Sequence, residues 1–572
     1  MLNLLRSSGL RSVRSFRFHL SKHILRMLIY LLISLLLSSI FVLVQYRNGA
    51  FSKQPYPLIL NNDRAVTDIK FTTCYSILGR FPACKLSQST RSSWSRVPKD
   101  ILYGTSWYKQ VFLDYRTIDV KDAKENNVKV INLVKIPDSV PANSHTAADG
   151  WFEVGSGSGL YFKKGLYNHQ TTICSLDILF GSMAIDPREN WSLLTKPLWA
   201  SRTARQSESQ SVSPSSNSES SSLPVDPHIH DSEPYLSFRT QDLTVRDTTS
   251  YYRSLLKFNN DGKFKILQLA DLHFVAGFGI CRDPWPSLDP GEVCLADYRT
   301  TEFIEDVLDL EEPDFVVFTG DQVFGSESMD FETAIFKVVS PLIERKIPYA
   351  MVMGNHDSEG DLTRDQIYEL LGDLPYSVSE AGPSDISGVG NYRLTVTNGD
   401  KKELIMYFLD SHSYAHSRIP GYDYLKEDQK DYVRKMHKKE GDIPMSMAFF
   451  HIPLPEYREF DKEDGEHRKL VGHYKEWCTA PIHNSNMYEV FKEIGVKVVS
   501  VGHDHCNDYC LDYEGMWLCY GGATGEGGYG GYGGTSRRVR VFEVDVGGSI
   551  RSWKRVEGDA EKTIDEMTLV EY

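Results

Sequence analysis

Positive charge is in deficit. The 572-residue chain has 63 Lys and Arg against 77 Asp and Glu, a net of −14. The first 26 residues carry Arg6, Arg11, Arg14, Arg17, Lys22 and Arg26 and no acid, so they contribute +6 and the remainder is −20. Phosphate backbones need basic surfaces, so nonspecific nucleic-acid binding by the main body is disfavoured. Cysteine is sparse: nine residues, an odd count that excludes complete pairing within one chain. Cys74/Cys84 and Cys281/Cys294 are close enough in sequence to form loop disulfides in an oxidising lumen, and scattered buried thiols are the equal alternative. Charge is missing altogether from Met27–Val44, an apolar run of 18 residues with three Ser. That is near the ~20 residues needed to cross a bilayer core. No small-x-small cleavage site follows it; Gln45-Tyr46-Arg47-Asn48 comes next. The run therefore predicts a transmembrane signal anchor at 27–44 behind a basic cytosolic tail at 1–26. The positive-inside rule then places the main body across the membrane, in the secretory pathway or vacuole. An Arg- and Ser-rich, acid-free N-terminus also fits a mitochondrial presequence and a mitochondrial membrane. Asn190-Trp191-Ser192 is a single glycosylation sequon.

The length allows two or three domains. Residues 55–200 lack helical periodicity; Val128–Val134 and Gly159–Phe162 read as strands, with Gly-Ser-Gly-Ser-Gly at 155–159 as a turn, so a β-rich domain is expected there. Residues 201–222 hold 11 Ser and too little apolar surface to offset the entropy of ordering, which predicts a disordered linker over 201–233. His228 and His230 in it read as solvated loop residues. The pattern then changes. Apolar strands at Phe264–Ala270, Phe315–Phe318, Tyr349–Met353, Leu404–Leu409, Met447–Phe450 and Val496–Val501 alternate with helical periodicity at Asp297–Leu310 and around 330–345. That alternation implies βαβ units with a buried, mostly parallel sheet. Val539–Val546, Gly547-Gly548 and Ile550–Val556 read as a hairpin closing one sheet edge.

Ligands in such folds gather beyond the carboxyl ends of the strands. Five groups of hard donors sit there: Asp271-Leu272-His273, Gly320-Asp321, Gly354-Asn355-His356-Asp357, His451 and Gly502-His503-Asp504-His505. Phosphoester hydrolysis needs a nucleophilic hydroxide at mild pH and neutralised phosphoryl oxygens, and two cations ~3.5–4 Å apart supply both. Asp321, on a tight Gly-Asp turn, is the natural bridging carboxylate. Asp504 reads as an outer contact or a solvated residue. Asp410-Ser411-His412 follows a strand and could line the pocket. The Gly525–Tyr532 segment lacks the Gly-Lys-Ser/Thr ending of a P-loop and reads as a flexible rim that stacks on substrate.

The five motifs, in this order over residues 271–505, resemble those of the calcineurin-like metallophosphoesterase superfamily. The likeness covers roughly 255–560. The strand texts and the Gly521–Gly534 segment are similar to its purple-acid-phosphatase-related group. The membrane-anchored layout is similar to that of fungal phosphatases described as dosage-dependent cell-cycle regulators. The resemblance implies a four-layer α/β/β/α sandwich, preceded here by the membrane helix and the smaller β-rich region. It implies two divalent metal ions. One would be held by Asp271, His273, Asp321 and His505, the other by Asp321, Asn355, His451 and His503. His356 would contact phosphate or protonate the leaving alkoxide, and Asp357 would orient His356 or an outer group. Purple acid phosphatases carry a metal-binding Tyr three residues after the bridging Asp. Phe324 stands here and has no oxygen to donate, and the family's D-x-G becomes Asp271-Leu272-His273. A colourless enzyme is expected, with His273 in place of the tyrosinate and Mn, Zn or Fe(II) open as metals. The implied activity is hydrolysis of phosphomonoesters, with phosphoserine or phosphothreonine proteins as substrates in cell-cycle or stress signalling. A phosphodiesterase or nucleotidase on the same centre, and a non-catalytic membrane-tethered platform, are the alternatives.

Overall fold

Backbone registers and burial explain how separate stretches of chain converge. In the computed structural model, the described residues are 30–31, 64–75, 94–102, 108–137, 150–155, 158–198, 232–240, 248–415, 420–461, 465–530 and 535–571. Except for Tyr30 and Leu31, the expected membrane run lies outside them, as do the basic tail, residues 201–231, and His228 and His230. Among the described residues no helix is long and apolar enough to cross a membrane.

Two mixed sheets form the larger part of the fold. The first has six strands in the order Tyr349–Val352, Phe315–Thr319, Lys263–Leu269, Arg538–Asp545, Ile550–Val556 and Asp559–Val570. The first three run parallel, and the C-terminal strands add antiparallel. The expected hairpin is present, and a third strand, Asp559–Val570, extends it. The second sheet has seven strands: Tyr392–Asn398, Lys401–Phe408, Met445–Phe449, Val498–Val501, Met516–Tyr520, Cys510–Tyr513 and Leu470–Val471. Its central strands are parallel.

Strand alternation decides which layer each residue joins. Leu404, Met406 and Phe408 face the first sheet in one core cluster, while Ile405, Tyr407 and Leu409 face the other way in a second. Phe449 meets Phe542 between the sheets, with centroids 6.4 Å apart. Tyr432, Val433 and Met436 of the Glu427–Glu440 helix cover the outer face of the seven-stranded sheet. Helices Ala296–Glu311 and Phe331–Glu344 pack with the six-stranded one through Phe303, Val307, Ile335 and Val339. The result is a helix–sheet–sheet–helix order. Local chemistry starts the helices where they start. Asp330 accepts from the Thr333 amide at 2.9 Å, and Thr363 and Gln366 form a reciprocal capping box.

Residues Arg64–Arg239 supply three small antiparallel sheets around their own apolar cluster, including Val66, Leu113, Ile131 and Leu236. Strand Pro234–Arg239 pairs with both Ser175–Phe180 and Trp191–Leu193, so the chain returns to this region after the Ser-rich stretch. Ala276 joins the same cluster, and Pro55–Tyr572 is one compact unit. A buried ionic group crosses the junction. Lys99 Nζ lies 2.6 Å from Glu332, 3.2 Å from Asp330 and 3.4 Å from Asp177, and Arg188 lies 2.8 Å from Glu332.

Cys281–Cys294 is a disulfide, one of the two pairs anticipated. Cys74 is disulfide-bonded, and Cys84 lies outside the described residues. Cys510–Cys519 is a further disulfide between neighbouring strands, while Cys174, Cys478 and Cys506 are buried thiols.

Candidate metal centre

Five parallel strands end at one edge of the sandwich. Asp271, Asp321, Asn355, His451 and His503 each lie two or three residues past such an end. Backbone conformation then aims them. Asp271, His273, Asp321 and His503 take φ of 53°, 54°, 54° and 79°, a left-handed region that non-glycine residues enter only when their surroundings hold them there. Two glycines make the closeness possible. A Cβ on Gly320 would collide with the His451 ring, and one on Gly354 would collide with the Asp321 carboxylate.

The seven expected ligands come together. Donor atoms of Asp271, His273 and His505 form one group within 4.8 Å of one another, and those of Asp321, His451 and His503 form a second. His273 and His505 face each other Nε2 to Nε2 at 3.1 Å. In the second group His451 Nε2 lies 3.1 Å from both His503 Nδ1 and Asn355 Oδ1. Asp321 joins the two groups: its Oδ2 is 3.3 Å from His451 and 3.9 Å from His273. Its other oxygen accepts the His356 amide at 2.8 Å, which fixes the carboxylate's rotation.

Partners behind the site set the tautomers. His451 Nδ1–H donates to the Thr319 carbonyl at 2.9 Å and His505 Nδ1–H to the Tyr529 carbonyl at 2.8 Å, so each Nε2 faces inward. Burial opposes charge on His451, but Asp321 outweighs it and lifts that imidazole to about 9, so its Nε2 carries a proton that a cation at the site would displace. All seven residues are buried. Burial pushes the His273 imidazole down to about 3 and takes those of His503 and His505 well below the usual range, so three rings are held neutral. Burial opposes ionisation of Asp321, but His451 outweighs it and holds the carboxylate well below its usual value. Asp271 goes the other way, pushed up by burial even against the pull of His451. Buried carboxylates, neutral imidazoles and an amide oxygen converging in pairs fit cations of the Zn, Mn or Fe kind. Unpaired buried nitrogens at His273 Nδ1 and His503 Nε2 agree with ring orientations set by something other than protein hydrogen bonds.

The neighbours of the site differ in part from expectation. His356 borders it, its ring 5.5 Å from His273, but its Nδ1 pairs with Glu359 at 2.7 Å and not with Asp357. Asp357, expected as a catalytic group, is fully buried and accepts three backbone amides: Gly354 at 2.7 Å and Asp321 and Val323 at 2.9 Å. Three converging N–H groups bind a carboxylate better than one imidazole does, so Asp357 ties the two ligand-bearing turns together from behind. Ser411 likewise braces His451 from behind, accepting the Ile452 amide at 2.9 Å, while His412 pairs with Gln429. Asp504 is bound by Thr479 and by the Tyr520 hydroxyl at 2.6 Å. The expected substrate-stacking rim instead packs inward. Residues 521–528 are buried, and the Tyr529 ring stacks on His505 at 3.9 Å and 6°. Residues 531–534 lie outside the described part. Tyr422 stands edge-on to His503 at 4.3 Å, with Tyr414 stacked on Tyr422 at 5.4 Å. Glu359, Tyr414 and Tyr422 belong to no strand-end motif; only the Glu359 spacing of three from His356 offered a signal.

With this geometry in hand, the likeness to known proteins has a location. The model of the calcineurin-like phosphoesterase family matches residues 264–507, the stretch that contains every donor named above. Phosphatase DCR2 of Saccharomyces cerevisiae is 36% identical over 546 residues, covering 89% of this chain and 88% of that protein. Probable inactive purple acid phosphatase 29 of Arabidopsis thaliana is 36% identical over 354 residues, covering 55% of this chain and 88% of its own length. Among solved structures, the purple acid phosphatase PPD1 from yellow lupin aligns over 59% of this chain and 62% of that one, at 11% identity and a TM-score of 0.34.

Proposed function

This chain belongs to the calcineurin-like phosphoesterase family and is a phosphoester hydrolase, and on that premise we propose that it is a phosphomonoesterase working with two divalent cations, Mn, Zn or Fe. One would be held by Asp271, His273, Asp321 and His505, the other by Asp321, Asn355, His451 and His503. The observation that carries this reading is the placement of Asp321 Oδ2 between His451 and His273, one from each donor group. The bound cations would activate water and neutralise the phosphoryl oxygens. The remaining work falls to the protein's own residues. Phe324, Tyr422 and Tyr529 wall His273, His503 and His505 with rings and reduce access of bulk water. His356, about a quarter open to solvent, is oriented by Glu359 through Nδ1, leaving Nε2 to give a proton to the departing alkoxide.

As substrates we propose phosphoserine or phosphothreonine in proteins, with a role in cell-cycle or stress signalling; the likeness to a fungal phosphatase supports the phosphatase part of this reading. Hydrolysis of a phosphopeptide against bis-p-nitrophenyl phosphate tests it: a marked preference for the diester would replace it with a phosphodiesterase. Relatives described as probable inactive purple acid phosphatases favour a second reading, a non-catalytic platform. If Asp321→Asn abolishes turnover and leaves the cellular phenotype intact, the platform reading takes over. The proposed membrane anchor at Met27–Val44 places the catalytic unit in the secretory pathway or vacuole. Two disulfides, Cys281–Cys294 and Cys510–Cys519, agree with an oxidising compartment. Protease protection in intact vesicles checks the topology, and cleavage of the catalytic unit without detergent would put it in the cytosol.

A further inference from the structure

The loop that leads from the Lys263–Leu269 strand to the Ala296–Glu311 helix is tied down beside the metal centre. Cys281 and Cys294 are joined, the Arg282 amide donates to the Glu526 carbonyl at 2.8 Å, and the Arg282 carbonyl accepts from the Arg537 guanidinium at 2.6 Å. The Arg282 backbone is therefore fixed, yet 42% of its side chain is open to water. Its guanidinium lies over the Phe324 ring, 4.6 Å from the centroid. That same ring is in T-shaped contact with His273 and with His356, at 5.1 Å each. Phe324 thus has a function of its own where purple acid phosphatases use a tyrosine. Without an oxygen to donate, it serves as a platform that holds a permanent positive charge next to the histidines of the site. The ion-pair partner of Arg282 is Glu327, itself 51% exposed, and an exposed pair of this kind is weak and readily exchanged for another anion.

We propose that Arg282 is a specificity-determining residue that binds a second anionic group of the substrate, a carboxylate or phosphate carried beside the scissile phosphomonoester, with that group displacing Glu327. This rests on the phosphomonoesterase reading above. The phenyl ring touches the guanidinium and both histidines, which sets the cation at the border of the site, beside the scissile group. The planar fork of Arg matches two oxygens of a carboxylate or phosphate, a geometry that a lysine ammonium does not reproduce. The surrounding charge makes the contact matter. A chain of net −14 repels acidic substrates at long range, so a fixed cation at the edge of the site decides which of them is accepted.

The test compares wild type, Arg282→Ala, Arg282→Lys and Glu327→Gln on two phosphoserine peptides that differ only in Glu or Gln next to the phosphoserine. The ratio of kcat/KM, acidic over neutral peptide, falls about tenfold in Arg282→Ala, falls less in Arg282→Lys, and rises in Glu327→Gln. Equilibrium binding of the matching phosphonate peptides, which cannot be hydrolysed, gives the same ordering without turnover. An unchanged ratio in Arg282→Ala, or equal losses on both peptides, overturns the assignment. If the wild-type protein hydrolyses neither peptide but still prefers the acidic phosphonate in an Arg282-dependent way, the phosphomonoesterase reading fails and the anion site stands.

Discussion

Replacing Asp357 with Asn changes one oxygen for an NH2 group at nearly constant volume, and the structure allows its cost to be worked out. The best amide orientation puts the oxygen where Oδ2 now accepts from Gly354 and Asp321, keeping both hydrogen bonds. The new NH2 then faces the Val323 amide, a donor against a donor, leaving a buried N–H unsatisfied at a cost of about 1–3 kcal/mol. The two surviving bonds lose their charge assistance, roughly another 1 kcal/mol together. An opposing term is present, because burial already lifts this carboxyl to about 6, so a neutral amide recovers part of the desolvation cost. The net expectation is a loss on the order of 2 kcal/mol in urea unfolding. The functional effect should be larger than the loss of stability suggests. Asp357 sets the spacing between the turns that carry Asp321 and Asn355, and loss of such outer partners typically lowers metal affinity ~10–100-fold. Titration of the metal-depleted protein with Zn or Mn measures this. Metal affinity within threefold of wild type, together with stability within about 0.5 kcal/mol, would refute the bracing role.

Other perturbations probe separate links. Lys99→Met leaves Asp330 without its buried cation, while Arg188 still pairs with Asp177 and Glu332, and should cost about 3 kcal/mol by chemical denaturation; a loss under about 1 kcal/mol would mean that Lys99 does not fasten the β-rich region. Glu359→Gln should slow phosphoserine peptides about tenfold while sparing p-nitrophenyl phosphate, since only an alkoxide needs the proton; equal slowing of both would remove His356 from that role. Glu476 is raised by burial from 4.5 to about 7. Its stabilising contribution is therefore full below about pH 4.5 and is lost as pH rises through about 7, so Glu476→Gln should flatten the thermal-melt profile across that window.

The sequence made the donors legible because each follows a run buried on both faces, and such runs read as strands without any alternation. Phe315–Phe318 is apolar at every position, and Asp321 stands two residues past the end of the Phe315–Thr319 strand, after Gly320. What lies behind the donors was less visible for a physical reason. Asp357 acts on backbone N–H groups, and a backbone donor leaves no mark in side-chain pattern. His356 and Glu359 meet within one turn, a spacing common to many unrelated pairs. The rings of Tyr422 and Tyr529 reach the site from loops, where no periodicity assigns a direction. Strand Asp559–Val570 was hidden by its own composition, since Glu561, Lys562 and Glu566 are exposed on an edge strand and break the apolar alternation. Pro234–Arg239 was masked by the Ser-rich stretch before it, which reads as a boundary although the chain returns to the same sheet.

The most direct measurement is metal content set against activity. Purified protein and its Asp321→Asn variant are stripped with chelator, reloaded with Mn or Zn, and assayed in parallel for bound metal by mass spectrometry and for hydrolysis of a phosphomonoester. The shared-carboxylate geometry predicts two metal ions per wild-type chain, loss of activity on stripping and its return on reloading, and fewer than two retained ions with no turnover in Asp321→Asn. Undiminished hydrolysis by stripped wild-type protein, or full occupancy and activity in the variant, would contradict it.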